Sequence, residues 1–132
     1  MMIMENDYIK QAQNCMEKLS KDHKLPTTSQ LRRFLTAVNA VSGKIDVYRD
    51  KNGGKIDALP TELATEVEFL QVKLAYQIGR DSSRNHVMKS FNDETHLMDR
   101  IKKIGNKAKA FDDFTRYVEA LVAFHKFYGG KD

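Results

Sequence analysis

Apolar residues three and four positions apart run through nearly the whole chain, and no segment sustains apolar–polar alternation bounded by turn residues. Helical residues advance by 100°, so this spacing keeps the apolar ones on one face, whereas a half-buried strand needs a period of two. The sequence therefore predicts an all-α fold, a single-domain bundle of about five helices over residues 1–132. Ile9, Ala12, Met16 and Leu19 mark a first helix over roughly residues 5–20, broken at Leu25-Pro26. Thr27 or Thr28 then offers an N-cap, with Gln30 placed to complete a capping box. Leu31, Phe34, Leu35, Val38, Val41, Ile45 and Tyr48 carry a second helix to about residue 50, with Gly43 as its weak point. After a loop at Lys51-Asn52-Gly53-Gly54, Leu59-Pro60-Thr61-Glu62 opens a third helix on Leu63, Val67, Leu70, Leu74 and Ile78. A second stripe of Phe69, Val72 and Tyr76 predicts that this helix is central, with neighbours on more than one side. A short helix around Arg84–Phe91 precedes a fourth main helix on Leu97, Met98, Ile101 and Ile104, closed by Gly105-Asn106. The last helix runs from about Ala108 to Tyr128, and Gly129-Gly130 stops it.

Composition narrows the function classes. At 132 residues, with 41% hydrophobic and 30% charged residues, the chain reads as one globular domain able to bury a real core. One cysteine excludes a disulfide framework and any multi-cysteine zinc module. No apolar run approaches the roughly 20 residues that span a bilayer. The opening Met1-Met2-Ile3-Met4 is followed by Glu5 and Asp7 without a basic region, which is unlike a signal peptide. The expectation is a soluble, reduced, cytoplasmic protein.

Sites for chemistry are scarce. Cys15, His23, His86, His96 and His125 form no ligand pair at helical spacing, so no metal site is predicted. Cys15 reads as a small buried hydrophobe, and His125 as a satisfied core or interface histidine. Glu62 and Glu66 lie one turn apart, but acids at a helix start answer the dipole. The serines lack a glycine elbow, and no glycine-rich nucleotide motif occurs, so no cofactor or small-molecule substrate is expected. Asp112 and Asp113 are adjacent and diverge by 100°, which rules out a shared carboxylate pair. Arg80 and His86, with five residues between them, resemble the signature of the all-helical HEPN ribonucleases. There an arginine steadies the phosphorane charge and a histidine moves the proton. With seven arginines and four histidines, chance supplies about 0.6 such matches, so the pattern carries little weight.

Charge is distributed more tellingly than the net +4 suggests. Residues 27–60 carry net +3 and residues 82–109 net +4, separated by residues 61–81 at net −2. Arg32 and Arg33 sit where the start of a helix prefers acids, which hints at an external anion. Lys73 and Arg80, seven apart, fall within 20° of each other on the third helix. Lys102 and Lys103 complement the C-terminal dipole of their own helix. For any single base a solvated face is the simpler reading. As a set they suit a phosphate-reading surface without sequence readout, because the aromatics are expected on buried faces rather than interleaved with the bases.

The segments Leu25–Phe34, Glu68–Arg80 and Phe114–Tyr128, in this order, resemble the small helical subunit of type III-A CRISPR–Cas effector complexes, the Csm complexes. The resemblance covers about residues 25–132 and leaves out the first helix and the Gly53-Gly54 loop. It implies a non-catalytic building block whose copies stack head to tail into an inner filament beside other subunits of the effector. It further implies contact with the guide RNA–target RNA duplex through phosphates, with cleavage performed by other subunits. The positions that match the family's recurrent bases are Arg32, Lys73 and Arg80; Arg33, Lys102 and Lys103 join them on charge alone. A pure helix-packing adaptor, its bases serving solubility, is the plainer alternative to both RNA readings.

Overall fold

The computed structural model describes residues 7–131, so the expected helix start at residue 5 and the Met1–Glu5 opening lie outside the described residues. The described chain is helical, in six segments: α1 (Tyr8–Lys21), α2 (Thr28–Lys51), α3 (Thr61–Arg80), α4 (Val87–Thr95), α5 (Leu97–Ile104) and α6 (Ala108–Phe127). An isolated bridge between Ala58 and Lys107 ties the loop before α3 to the loop before α6. Leu59 N–H donates to the Asn106 carbonyl at 2.7 Å, and Ala108 N–H to that of Asp57 at 3.0 Å.

The helix starts follow local chemistry. At α2 the capping box forms: the Thr27 hydroxyl accepts from Gln30 N–H at 3.1 Å, and the Gln30 amide oxygen accepts from Thr27 N–H at 2.8 Å. The short helix expected near residues 84–91 lies instead at Val87–Thr95. Asp81 explains the shift. Its carboxylate accepts from Ser83 N–H at 3.0 Å and Met88 N–H at 2.9 Å, holding residues 81–86 as a turn and capping α4 from outside. His96, at φ 57°, separates α4 from α5, so the short helix and the fourth main helix stand as separate segments, as expected. The Asn92 side chain then accepts from Met98 N–H at 2.9 Å and caps α5. Gly129, at φ 89°, ends α6 in the left-handed conformation that glycine adopts without strain.

Every helix contributes to one buried cluster, from Ala12, Met16 and Leu19 on α1 to Phe111, Phe114, Tyr117, Val118 and Leu121 on α6. α1 packs mainly along α6 and α2 along α3, while α5 bridges α3 and α6. His125 is buried, as expected, and its Nε2–H donates to the Pro26 carbonyl at 2.6 Å. Among the described residues, no buried side-chain polar atom lacks a partner.

One expectation holds only in part. α3 packs on α2, α4 and α5 and so has neighbours on more than one side, yet it buries only Val67, Leu70 and Leu74. The second stripe faces out: Phe69 and Val72 are each 52% exposed and Tyr76 is 63% exposed. Its spacing fits a second buried face, but no helix in the described fold lies over it. Among the six helices α6 has the most buried residues, seven.

Candidate nucleic-acid interface

α2 and α3 lie side by side, and small residues on α2, Ala37 and Ala40, leave a groove of about 480 Å³ between them. Arg33 and Thr36 line it from α2, and Phe69, Val72, Lys73, Tyr76 and Gln77 from α3. The groove continues into a hollow of about 320 Å³ that ends at Lys44, Thr65 and Glu66. There Lys44 Nζ holds both Glu66 oxygens at 2.8 Å. At the opposite end the Gln30 amide donates to Asp81 at 3.2 Å, joining the start of α2 to the end of α3. Burial alone would raise the Asp81 carboxyl, but the N–H groups of Met88 and Ser83, the Ser83 hydroxyl and Gln30 together hold it below the usual carboxylate range.

Among the described residues, Arg33 and Lys73 in the groove, and Arg80 beside the Tyr76 ring, have no acidic partner. Lys73 Nζ lies 5.9 Å from the Phe69 ring centroid, and the Arg80 guanidinium 5.7 Å from that of Tyr76. Other bases are committed to acids: Lys18 to Glu94, Arg49 to Asp112, Lys89 to Asp93 and Lys109 to Asp113. Asp112 and Asp113 thus turn to different bases, as their 100° offset requires.

The six bases singled out in the sequence are not gathered in one place. Arg33 and Lys73 line the α2–α3 groove and Arg80 lies beside the ring of Tyr76, which also lines it, whereas Arg32, turned 100° from Arg33, is exposed outside the lining. Lys102 lines a separate hollow of about 220 Å³ between α3 and α5, with Gln71 and Asn106. Lys103 lines a third groove, of about 510 Å³, with Tyr8, Arg100, Lys107 and Phe114. α3 therefore stands between the two basic blocks, and they do not merge in one groove. Arg80 and His86 make no hydrogen bond to each other; His86 is exposed at φ 48° before α4. Among the described residues, no three His, Cys, Asp or Glu side chains cluster as metal ligands would.

A further correction concerns Phe69 and Tyr76. The expectation that aromatics lie only on buried faces does not hold, since both are exposed and each is followed four residues later by a base. The signal was present as Phe69-x-x-x-Lys73 and Tyr76-x-x-x-Arg80. Apolar spacing alone reads those rings as core.

Elsewhere, on α5, Arg100 is built in. Its guanidinium sits 3.8 Å from the Tyr117 ring centroid and donates to Gln11 Oε1 at 2.6 Å and the Thr95 carbonyl at 3.0 Å. The Tyr117 hydroxyl donates to the same carbonyl at 3.2 Å, and burial pushes it far above the usual phenol range. These bonds join α1, α5 and α6, so Arg100 is structural.

No helix among the described residues is long and apolar enough to cross a membrane. The family model described as Csm2 Type III-A matches residues 4–131. The chain is 32% identical over 133 residues to the CRISPR system Cms protein Csm2 of Streptococcus thermophilus, covering 98% of each chain. It is 39% identical over 103 residues to the protein of that name from Enterococcus italicus, covering 77% of this chain and 67% of the relative. With the Mycobacterium tuberculosis protein of the same name the identity is 27% over 132 residues, covering 100% of this chain and 99% of the relative. An all-helical chain matched almost end to end in this way belongs to the Csm2 type III-A family.

Proposed function

We propose that the chain, acting as one domain over residues 1–132, is a non-catalytic structural subunit of a cytoplasmic type III-A CRISPR–Cas interference ribonucleoprotein. Copies stack head to tail as an inner filament beside the other subunits. Such a heterologous contact builds an open array when its rotation does not close. Each copy holds the guide–target RNA duplex by its phosphates, without sequence readout and without cofactor or metal. Family membership supports the assembly. The observation that carries the RNA contact is the convergence of Arg33, Lys73 and Arg80 along one side of α2 and α3, none paired with a carboxylate among the described residues. Arginine and lysine in such a position exchange counterions for phosphates, and that exchange makes affinity depend on salt.

The test is retention of target RNA by the assembled complex across a salt series. Alanine at Arg33, Lys73 or Arg80 weakens retention alike for every target sequence and lowers the salt slope by about 0.7–1 per charge removed. Full retention by all three variants at raised salt would overturn the assignment. The purified chain should also leave RNA intact over long incubation. Metal-independent cleavage abolished by His86→Ala would establish the ribonuclease reading instead.

A further inference from the structure

We propose that the α2–α3 groove binds a single-stranded stretch of nucleic acid and stacks its bases on Phe69 and Tyr76, while Arg33, Lys73 and Arg80 hold its phosphates. This rests on the reading that the groove meets RNA, but it puts an unpaired stretch in place of the duplex in this groove and names the two rings that recognise it.

Phe69 and Tyr76 are among the few large hydrophobic residues left exposed, and both belong to this one groove. Seven residues apart on α3, they differ by only about 20° around the axis and are separated by about 10.5 Å along it. That span matches about three stacked base steps of roughly 3.4 Å. Each ring has a cation four residues on, Lys73 over Phe69 and Arg80 over Tyr76, and among the described residues neither cation has a carboxylate to neutralise it. Alternating rings and unpaired cations on one helix face form a track suited to a chain that alternates flat bases with phosphates.

A continuous duplex cannot use such a track fully. Its bases are stacked on one another inside the helix, and a surface ring meets only sugar and phosphate. An unpaired strand can turn its bases onto the rings. The acids of α3 set the polarity of the site: Glu66 is neutralised by Lys44, and Glu62 and Glu68 lie toward the start of α3. The anionic strand is therefore held from the Arg80 and Arg33 end as far as Phe69.

The test compares two probes of about 12 nucleotides with equal charge, an oligouridylate and an oligomer of abasic ribose phosphates, bound to the full-length chain at low salt. The oligouridylate should bind about fivefold or more tightly than the abasic oligomer. Tyr76→Leu and Phe69→Leu, exposed and apolar in both forms, should shrink that ratio toward one while leaving the salt slope unchanged. Lys73→Ala should do the reverse, lowering the salt slope for both probes. Equal binding of the two probes with an intact effect of Lys73→Ala would overturn the stacking proposal and leave the phosphate reading standing. Binding of neither probe would also overturn it. So would loss of self-association in Tyr76→Leu without any difference between the probes, which would make the face a protein contact.

Discussion

At Asp81 a single carboxylate accepts from Met88, Ser83 and Gln30, tying the starts of α4 and α2 to the end of α3. Hydrogen bonds to the ionised form outweigh burial and lower its pKa. A carboxyl depressed in the folded state contributes stability above its unfolded pKa of about 3.9 and loses that contribution as pH falls through the lower folded value. Asp81→Ala should therefore cost about 1–2 kcal/mol at pH 7, and its deficit against the unsubstituted chain should narrow in urea unfolding below about pH 4. A deficit unchanged by acid would mean that the side chain acts by packing alone. Cys15 makes the opposite case. Burial raises its thiol pKa more than the nearby Tyr117 hydroxyl lowers it, and its S–H donates to the Glu94 carbonyl at 3.2 Å. Alkylation of Cys15 at pH 8 should run about tenfold or more below the rate of an unstructured thiol and recover that rate in urea.

At the scale of elements, two glycines, one inside α2 and one just past α6, have opposite worth. Gly43 lies inside α2, and a Cβ added there would find no heavy atom within 4 Å, so the residue serves no close approach. Gly43→Ala should stabilise the chain by about 0.5–1 kcal/mol, read as a raised urea midpoint with an unchanged slope. Gly130 lies just past α6, and a Cβ there would meet the His125 ring, which its bond to the Pro26 carbonyl holds in place. Lys131 O, next in the chain, accepts from Thr28 N–H at 3.0 Å and fixes the same strap to the start of α2. Gly130→Ala should cost about 1–3 kcal/mol by forcing that strap away. A neutral result would mean that the strap yields without disturbing α2.

Across the whole molecule, charge is sorted by packing into separate grooves. Arg33 shares a groove with Lys73, Lys102 faces the hollow between α3 and α5, and Lys103 joins Lys107 beside α1. If the α2–α3 side holds the RNA, Arg33→Ala should weaken retention several-fold more than Arg32→Ala or Lys103→Ala in the same complex at the same salt. Equal losses at all three would point to a diffuse basic surface. Three contacts per copy are few. In the filament proposed above they would add through high effective concentration, which would suit a chain whose net charge is only +4.

The periodic spacing of Ala12, Met16 and Leu19, or of Phe111, Phe114, Val118 and Leu121, dictates helices and their buried faces before any tertiary contact, because it depends only on 100° steps. The Thr27–Gln30 cap and the glycine stop after α6 were legible for the same local reason. Asp81 was not, since its role as a cap reaches Met88 seven residues on and Gln30 on another helix. Nor was the fate of the Phe69, Val72 and Tyr76 stripe. One spacing describes both a second buried face and an exposed one, and only the placement of α2, α4 and α5 leaves it open. Likewise the sequence placed Lys73 beside Arg80, because both lie on one helix. It took tertiary packing to bring Arg33 to them and to leave Arg32, Lys102 and Lys103 elsewhere, because the grouping of charges from different helices depends on how those helices are packed.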